Sequence, residues 1–274
     1  MLSRFLKKMA KAFDSWARRV ESKTIVPVET QVAPEDKRRF DRYIVPYRGL
    51  MRVKFLRTGR TFPVYDISYG GLAFVDPSRM PKIASATPEL VELTVLERTV
   101  RTKLSILNMR GEVTACLFHH EDSETLIFLR ESLEGFRKGS SVRTVPEEIL
   151  QDKYRDGNWV YMRGAGPTDI LISCDKAGKL LSVLITIQVE DRYAEVRFHE
   201  GRLETGKSMD REGSPATRMG TTAKLDPILL HQVACILMCV NQPEAEAPVA
   251  DLLGMITKEL GVKEEIAAAT ERAA

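Results

Sequence analysis

Only four cysteines occur in 274 residues. None forms a C-x-x-C pair, so the chain offers no zinc ribbon and no dithiol redox centre. Cys116, Cys174, Cys235 and Cys239 lie in apolar surroundings, and the reading that follows is free buried thiols in a reducing compartment. No apolar run approaches the ~18 residues that a membrane-spanning helix needs. The first residues lack the continuous apolar stretch and small-residue cleavage site of a secretory signal. The expectation is a cytoplasmic protein. The formal charge is only +3, too little for nucleic-acid binding by the chain as a whole. No nucleophile, base and orienting group come together in the sequence, so no catalytic residue is assigned and the chain is read as a non-enzyme. There is no internal repeat.

What is present is ordinary in bulk and uneven in distribution. The hydrophobic fraction of 43% and the charged fraction of 29% suit a soluble globular protein. At about 100–200 residues per domain, the length allows two domains. Residues 1–24 carry Arg4, Lys7, Lys8, Lys11, Arg18, Arg19 and Lys23 against Asp14 and Glu21, a net of +5 that leaves the remaining chain at −2. Within that segment Leu2, Phe5, Leu6, Met9, Phe13, Trp16, Ala17 and Val20 recur at three- and four-residue spacing. That spacing predicts a basic amphipathic helix over 2–21. It suits peripheral contact with an anionic membrane surface, and equally packing against protein, which any amphipathic helix permits. Residues 25–36, broken by Pro27 and Pro34, read as a linker.

From 37 to 145 the pattern changes to short β-like runs. These are Leu50–Leu56, Thr61–Tyr65, Leu72–Val75, Val91–Val95, Leu104–Leu107, Glu112–Phe118 and Thr125–Leu129, with Ser132–Phe136 as a closing turn or short helix. Turn signals between short strands predict a small antiparallel barrel. A second β-rich block covers 146–225, with strands at Asn158–Met162, Asp169–Ser173, Leu180–Val189 and Tyr193–His199. Asp175-Lys176-Ala177-Gly178 reads as a hairpin turn, and 207–223 as a loop. Asp226-Pro227 is an N-cap followed by proline at the first helical position. It opens a helix over 227–240 that is apolar nearly all round, fit for a core or for a homo-oligomer interface. A second amphipathic helix covers 248–260. The expected fold is therefore mainly β with terminal helices (α+β), the second unit running from 146 to 274.

Two short motifs stand in order at the start of the first β block. Arg38-Arg39-Phe40-Asp41-Arg42 contains R-x-x-x-R, and Asp66-Ile67-Ser68-Tyr69-Gly70-Gly71 reads D-x-S-x-x-G. With the strand–turn–strand between them, residues of about 36–145 resemble the PilZ domain family. The resemblance implies a six-stranded antiparallel β-barrel that binds cyclic di-GMP through Arg38, Arg39, Arg42, Asp66, Ser68 and Gly71, with Lys37 and Gly70 as accessory positions. The residue types suit that ligand. Cyclic di-GMP has two phosphodiester anions and two guanines, and arginine's planar fork grips phosphate oxygens or the guanine O6/N7 edge with parallel hydrogen bonds. A carboxylate at Asp66 accepts from guanine N1–H and N2–H, Ser68 contributes a hydroxyl, and Gly71 permits close backbone approach. The function implied is a second-messenger receptor that acts on motility, biofilm or envelope machinery through a protein partner not yet identified, with no cofactor. The alternative is a PilZ-like scaffold without ligand.

Three further signals read more plainly. Gly201-Arg202-Leu203-Glu204-Thr205-Gly206-Lys207-Ser208 fits G-x-x-x-x-G-K-[S/T], which would make Lys207 an NTPase lysine. Gly213, Ser214 and Pro215 leave no room for the helix that motif requires, so a hairpin or loop is expected. His231, Cys235 and Cys239 recur at four-residue spacing and could face a metal, but a buried helix using cysteine as a small hydrophobe is the simpler reading. His119-His120-Glu121-Asp122 reads as a polar turn between two strands.

Overall fold

The computed structural model describes residues 40–76, 87–119, 123–146, 148, 150, 159–189, 192–208, 219–221 and 224–262. The helix expected over 2–21, the linker at 25–36, and Lys37, Arg38 and Arg39 lie outside the described residues.

The first unit is the expected closed barrel. A two-residue strand β1 (Tyr43–Ile44) precedes β2 (Met51–Phe55), β3 (Thr61–Ser68), β4 (Gly71–Val75), β5 (Glu89–Val95), β6 (Arg98–Arg110) and β7 (Val113–His119). β2 pairs with β3 and β5, β5 with β6, β6 with β7, β7 with β4, and β4 with β3, which closes six antiparallel strands into a ring. Alternation builds its interior. Met51, Val53 and Phe55 point in while Arg52 and Lys54 point out, and Val91, Leu93 and Val95 repeat the pattern on β5. Phe55, Phe62 and Phe74 fill the middle, with ring centroids 4.8–5.9 Å apart. β3 changes partner along one edge: Thr61–Pro63 pair with β2, then Asp66 and Ile67 pair with β1.

One sequence expectation fails after β7, and another resolves to its helical alternative. The strand expected over Thr125–Leu129 and the closing turn or short helix expected at Ser132–Phe136 are both part of one longer helix, α1 (Ser123–Ser141). A short apolar run does not distinguish strand from helix by itself. Here Thr125, Phe128, Leu129, Ser132, Leu133 and Phe136 are buried at helical spacing, while Leu126 and Ile127 stay exposed. Consequently the His119–Asp122 stretch leads into a helix rather than a second strand; residues 120–122 lie outside the described residues.

The second unit is a seven-stranded antiparallel meander. It comprises β8 (Arg143–Thr144), β9 (Trp159–Gly164), β10 (Thr168–Cys174), β11 (Leu180–Val189), β12 (Arg192–His199), β13 (Arg202–Ser208) and β14 (Met219–Thr221), each paired with its sequence neighbour. The turn at Asp175–Gly178 is the expected one, with the Asp175 side chain accepting from the backbone of Ala177 and Lys179. The loop expected over 207–223 is partly strand. Lys207 and Ser208 end β13, and β14 pairs with it from Gly206↔Thr221 to Ser208↔Met219. Backbone pairing asks little of the side chains, so a Gly- and Thr-rich stretch still adds an edge strand.

Helices α2 (Pro227–Leu237) and α3 (Glu246–Glu259) complete the described chain. Asp226 caps α2 as expected, its carboxylate accepting from Ile228 N at 3.0 Å and Leu229 N at 3.1 Å. α2 stops three residues short of 240 because the chain tightens there, Cys239 N bonding Ile236 O and Val240 N bonding Leu237 O. Leu229, Leu230, Val233, Ala234, Ile236 and Leu237 are all buried. α1 and α2 pack along a seam that uses Gly135 and Gly139. A Cβ on Gly135 would lie 2.5 Å from the Cys235 Cβ, and one on Gly139 would lie 2.0 Å from the Ile236 carbonyl oxygen. The barrel interior, the helical layer and the inner face of the second sheet form one contiguous apolar core. Among the described residues no helix is long and apolar enough to cross a membrane.

Candidate functional site

The strand pairing of β3 decides what meets what. Ile44 lies opposite Asp66, and Tyr43 opposite Ile67. The end of the R-x-x-x-R arm therefore runs antiparallel to the D-x-S-x-x-G segment. Arg42, just before β1, donates from one nitrogen, Nη1, to both Asp66 oxygens, at 2.8 Å and 3.1 Å. The pair is partly buried, Arg42 being 27% and Asp66 13% exposed. Arg42 Nε and Nη2 make no hydrogen bond among the described residues, so the fork retains donors for a further acceptor.

The other motif residues have structural work of their own. Ser68 is buried, and its hydroxyl donates to the Gly71 carbonyl at 3.2 Å. Gly71 opens β4 directly against β7, where a Cβ would sit 2.0 Å from the Cys116 carbonyl oxygen. Closure of the barrel, not a left-handed backbone, requires glycine there. Gly70 faces the arm: a Cβ would come within 3.0 Å of the Phe40 ring. That ring meets Tyr69 at a centroid distance of 6.1 Å. Arg42, Asp66, Ser68, Gly70 and Gly71 are thus brought together, and Lys37, Arg38 and Arg39 lie outside the described residues.

Sequence reasoning passed over four neighbours of this cluster: Phe40, Tyr43, Tyr69 and Arg137. Two were in plain view, since Phe40 and Tyr69 are variable positions within the motifs. Tyr43 follows Arg42 and is partly buried against the core. Burial chiefly, and then Asp41, push its phenol above the usual range, while Arg137 pulls the other way. Arg137 comes from α1, and nothing in its sequence context signals a site.

The arm is tied to the helices behind it. α1 packs against β1, and the Cys239 thiol donates to the Ile44 carbonyl at 3.5 Å. Buried His231 lies 2.9 Å from Glu97 through Nδ1 and 3.6 Å from the Cys235 sulfur through Nε2. Glu97 belongs to the β5–β6 turn, so this contact fastens the barrel to α2. Burial pushes the thiols of Cys116 and Cys239 up to about 12 and raises that of Cys235 as well. They are poor metal ligands in that state, and among the described residues no three His, Cys, Asp or Glu side chains gather as a metal group.

The phosphate-loop pattern resolves into a hairpin. Glu200 and Gly201 have φ of +51° and +79°, and His199 pairs with Arg202 across them. That is a two-residue hairpin turn with two left-handed residues. The rest of the pattern is strand β13, and Lys207 pairs with Asp226 at 2.6 Å. No loop wraps a phosphate there.

No family model matches the chain, and no curated protein matches it. Among solved structures it is similar to an uncharacterized protein from Legionella, at 14% identity over 34% of this chain and 94% of that one, with a TM-score of 0.27. A likeness of that size carries no argument about fold or function.

Proposed function

We propose that this chain is a cyclic di-GMP receptor of the PilZ type, working in the cytoplasm. The observation that supports this most is the meeting of Arg42 and Asp66 at the end of β3 on a closed six-stranded barrel. Two motifs that are unremarkable apart lie 24 residues apart in sequence and converge in space. On this reading Arg42 turns its fork to a phosphate or to a guanine O6/N7 edge, and Asp66 accepts from guanine N1–H and N2–H. Arg38 and Arg39 add the rest of the clamp, with Lys37 beside them. Rearrangement of Arg42 onto the ligand is the switch. Its output passes through the Ile44–Cys239 contact into the helices and second sheet, and residues 2–21 contact a membrane surface or protein partner.

Isothermal titration of the full chain with cyclic di-GMP, with GTP as control, tests the reading. Saturable heat that is absent for GTP and lost in Arg42→Ala, with the circular dichroism unchanged, supports it. Affinity retained in Arg42→Ala sinks the assignment.

One set of observations favours a second reading, a scaffold that binds protein only. Ser68 is bonded within the fold, Gly71 is required by strand packing, and Arg42 and Asp66 satisfy each other. A stable partner recovered without any response to nucleotide would favour it.

A further inference from the structure

The arm and the D-x-S-x-x-G segment are antiparallel neighbours, and residues directly opposite each other share a face. Ile44 stands opposite Asp66. Carried two residues further, the same register sets Arg42 opposite Ser68; carried four, it sets Phe40 opposite Gly70. The contacts agree. Arg42 reaches diagonally to Asp66, and one edge of the Phe40 ring rests where a Gly70 side chain would be, with Cδ2 3.0 Å and Cε2 3.5 Å from a built Cβ. Ile67 is fully buried in the barrel, so the alternate face, which carries Asp66, looks outward.

Phe40 is exposed on that face and yet held in place. It is 41% exposed, while Tyr69, packed against the core, meets it at 6.1 Å with the ring planes inclined at 53°. An aromatic ring fixed beside a cation that can grip phosphate is the pairing with which proteins hold nucleotide bases. The spacing also suits two bases rather than one. From Ile44, opposite Asp66, to Phe40 is four residues of extended chain, about 13 Å, with Arg42 midway. Cyclic di-GMP carries a guanine on each side of its phosphodiester ring. Base, phosphate and base therefore follow the same order as Asp66, Arg42 and Phe40.

We propose that Phe40 is the stacking platform for the second guanine of the bound messenger, an inference that rests on the receptor reading. One guanine is read by its edge at Asp66, a phosphate is gripped by Arg42, and the other guanine lies on the Phe40 ring. Tyr69 and Gly70 are positioning residues: one supports the ring, and the other leaves room for it. Stacking accepts any base, so guanine selectivity falls to Asp66 while Phe40 adds affinity.

The test is isothermal titration of the full chain with cyclic di-GMP for wild type, Phe40→Ala, Phe40→Leu, Phe40→Trp and, as a control, Leu90→Ala. Leu90 is another exposed apolar side chain, on β5. Phe40→Ala should weaken binding about tenfold, the usual loss when a base loses an aromatic partner. Phe40→Leu still covers Gly70 but offers no aromatic face, so it should lose nearly as much. Phe40→Trp should bind at least as well as wild type, and its added tryptophan emission should be quenched as the ligand is titrated in. Leu90→Ala should bind like wild type, and all melting temperatures should stay near it. Wild-type affinity in Phe40→Leu overturns the inference alone, as does an equal loss in Leu90→Ala. Absence of binding by the wild type overturns the receptor reading and this inference with it.

Discussion

The same substitution, glycine to alanine, should have opposite effects in two helices of this protein. Gly254 lies in α3 with nothing within 4 Å of a built Cβ. Alanine there gains only the helix propensity that glycine lacks, about 0.8–1 kcal/mol of stability. Gly139 in α1 has the same propensity to gain, but its Cβ would sit 2.0 Å from the Ile236 carbonyl oxygen and 3.1 Å from the Cys239 Cβ. Ordinary contact begins near 3.4 Å, and the obstacle is backbone, which cannot rotate away. Either α1 and α2 separate along their seam or the chain distorts locally. Overpacking of a core costs about 1–3 kcal/mol, and a clash with backbone belongs at the upper end. Against a propensity gain of about 1 kcal/mol, Gly139→Ala should lose about 2 kcal/mol net. For a chain of this size that lowers the melting temperature by about 4–8 °C, while Gly254→Ala raises it by about 2–4 °C. Paired thermal melts, with urea titration as a second probe, read both signs. A Gly139→Ala protein as stable as wild type would falsify the glycine-seam account of how α1 is placed.

Three other outcomes follow from the structure. All four cysteines are free, and three are buried with thiols raised by burial; at pH 8 a thiol reagent should modify at most Cys174 in the native protein and all four in denaturant. Burial raises the carboxyl of Asp169 despite the Tyr161 hydroxyl donating to it at 2.6 Å and Arg163 nearby. A raised acid stabilises the fold only below its unfolded value and loses that contribution as pH rises through the folded value, so Asp169→Asn should stabilise the protein at pH 7, with an advantage that shrinks toward pH 4 in denaturant titrations. Arg42→Ala removes one partner of a partly exposed pair, so its stability cost should be about 1 kcal/mol or less, and a melt shows whether any loss of binding is a loss of fold.

The fold was legible where β-branched and apolar residues alternate, or run together over a strand's length between turn signals. Leu180–Val189 matches β11 residue for residue, and Met51–Phe55 alternates cleanly. It was illegible where an apolar run was short: Thr125–Leu129 has strand-like composition, and only packing onto the barrel and α2 makes it helix. The glycine seam was also hidden, because Gly135 and Gly139 in an otherwise polar stretch look like helix breakers until a partner helix lies against them. Of the candidate site, Arg42 and Asp66 were named from sequence because the two motifs stand in order. Arg137, whose charge lowers the Tyr43 phenol, could not be, since it lies 71 residues after Asp66.

The motif residues are unequal as probes of function. Gly71 and Ser68 are used by the fold: one permits β4 to approach β7, and the other bonds the turn that joins β3 to β4. Replacing either would disturb barrel closure, so lost binding in those variants says nothing about ligand contact. Arg42 and Asp66 differ, because their pair is partly exposed and Arg42 keeps unused donors among the described residues. Asp66→Asn is the sharper of the two. It keeps an acceptor for Arg42 but loses the charge and one of the two acceptor oxygens that can face guanine N1–H and N2–H. A receptor should lose affinity for the guanine-bearing messenger in that variant, with its melting temperature changed by only a few degrees. A scaffold should keep its partner.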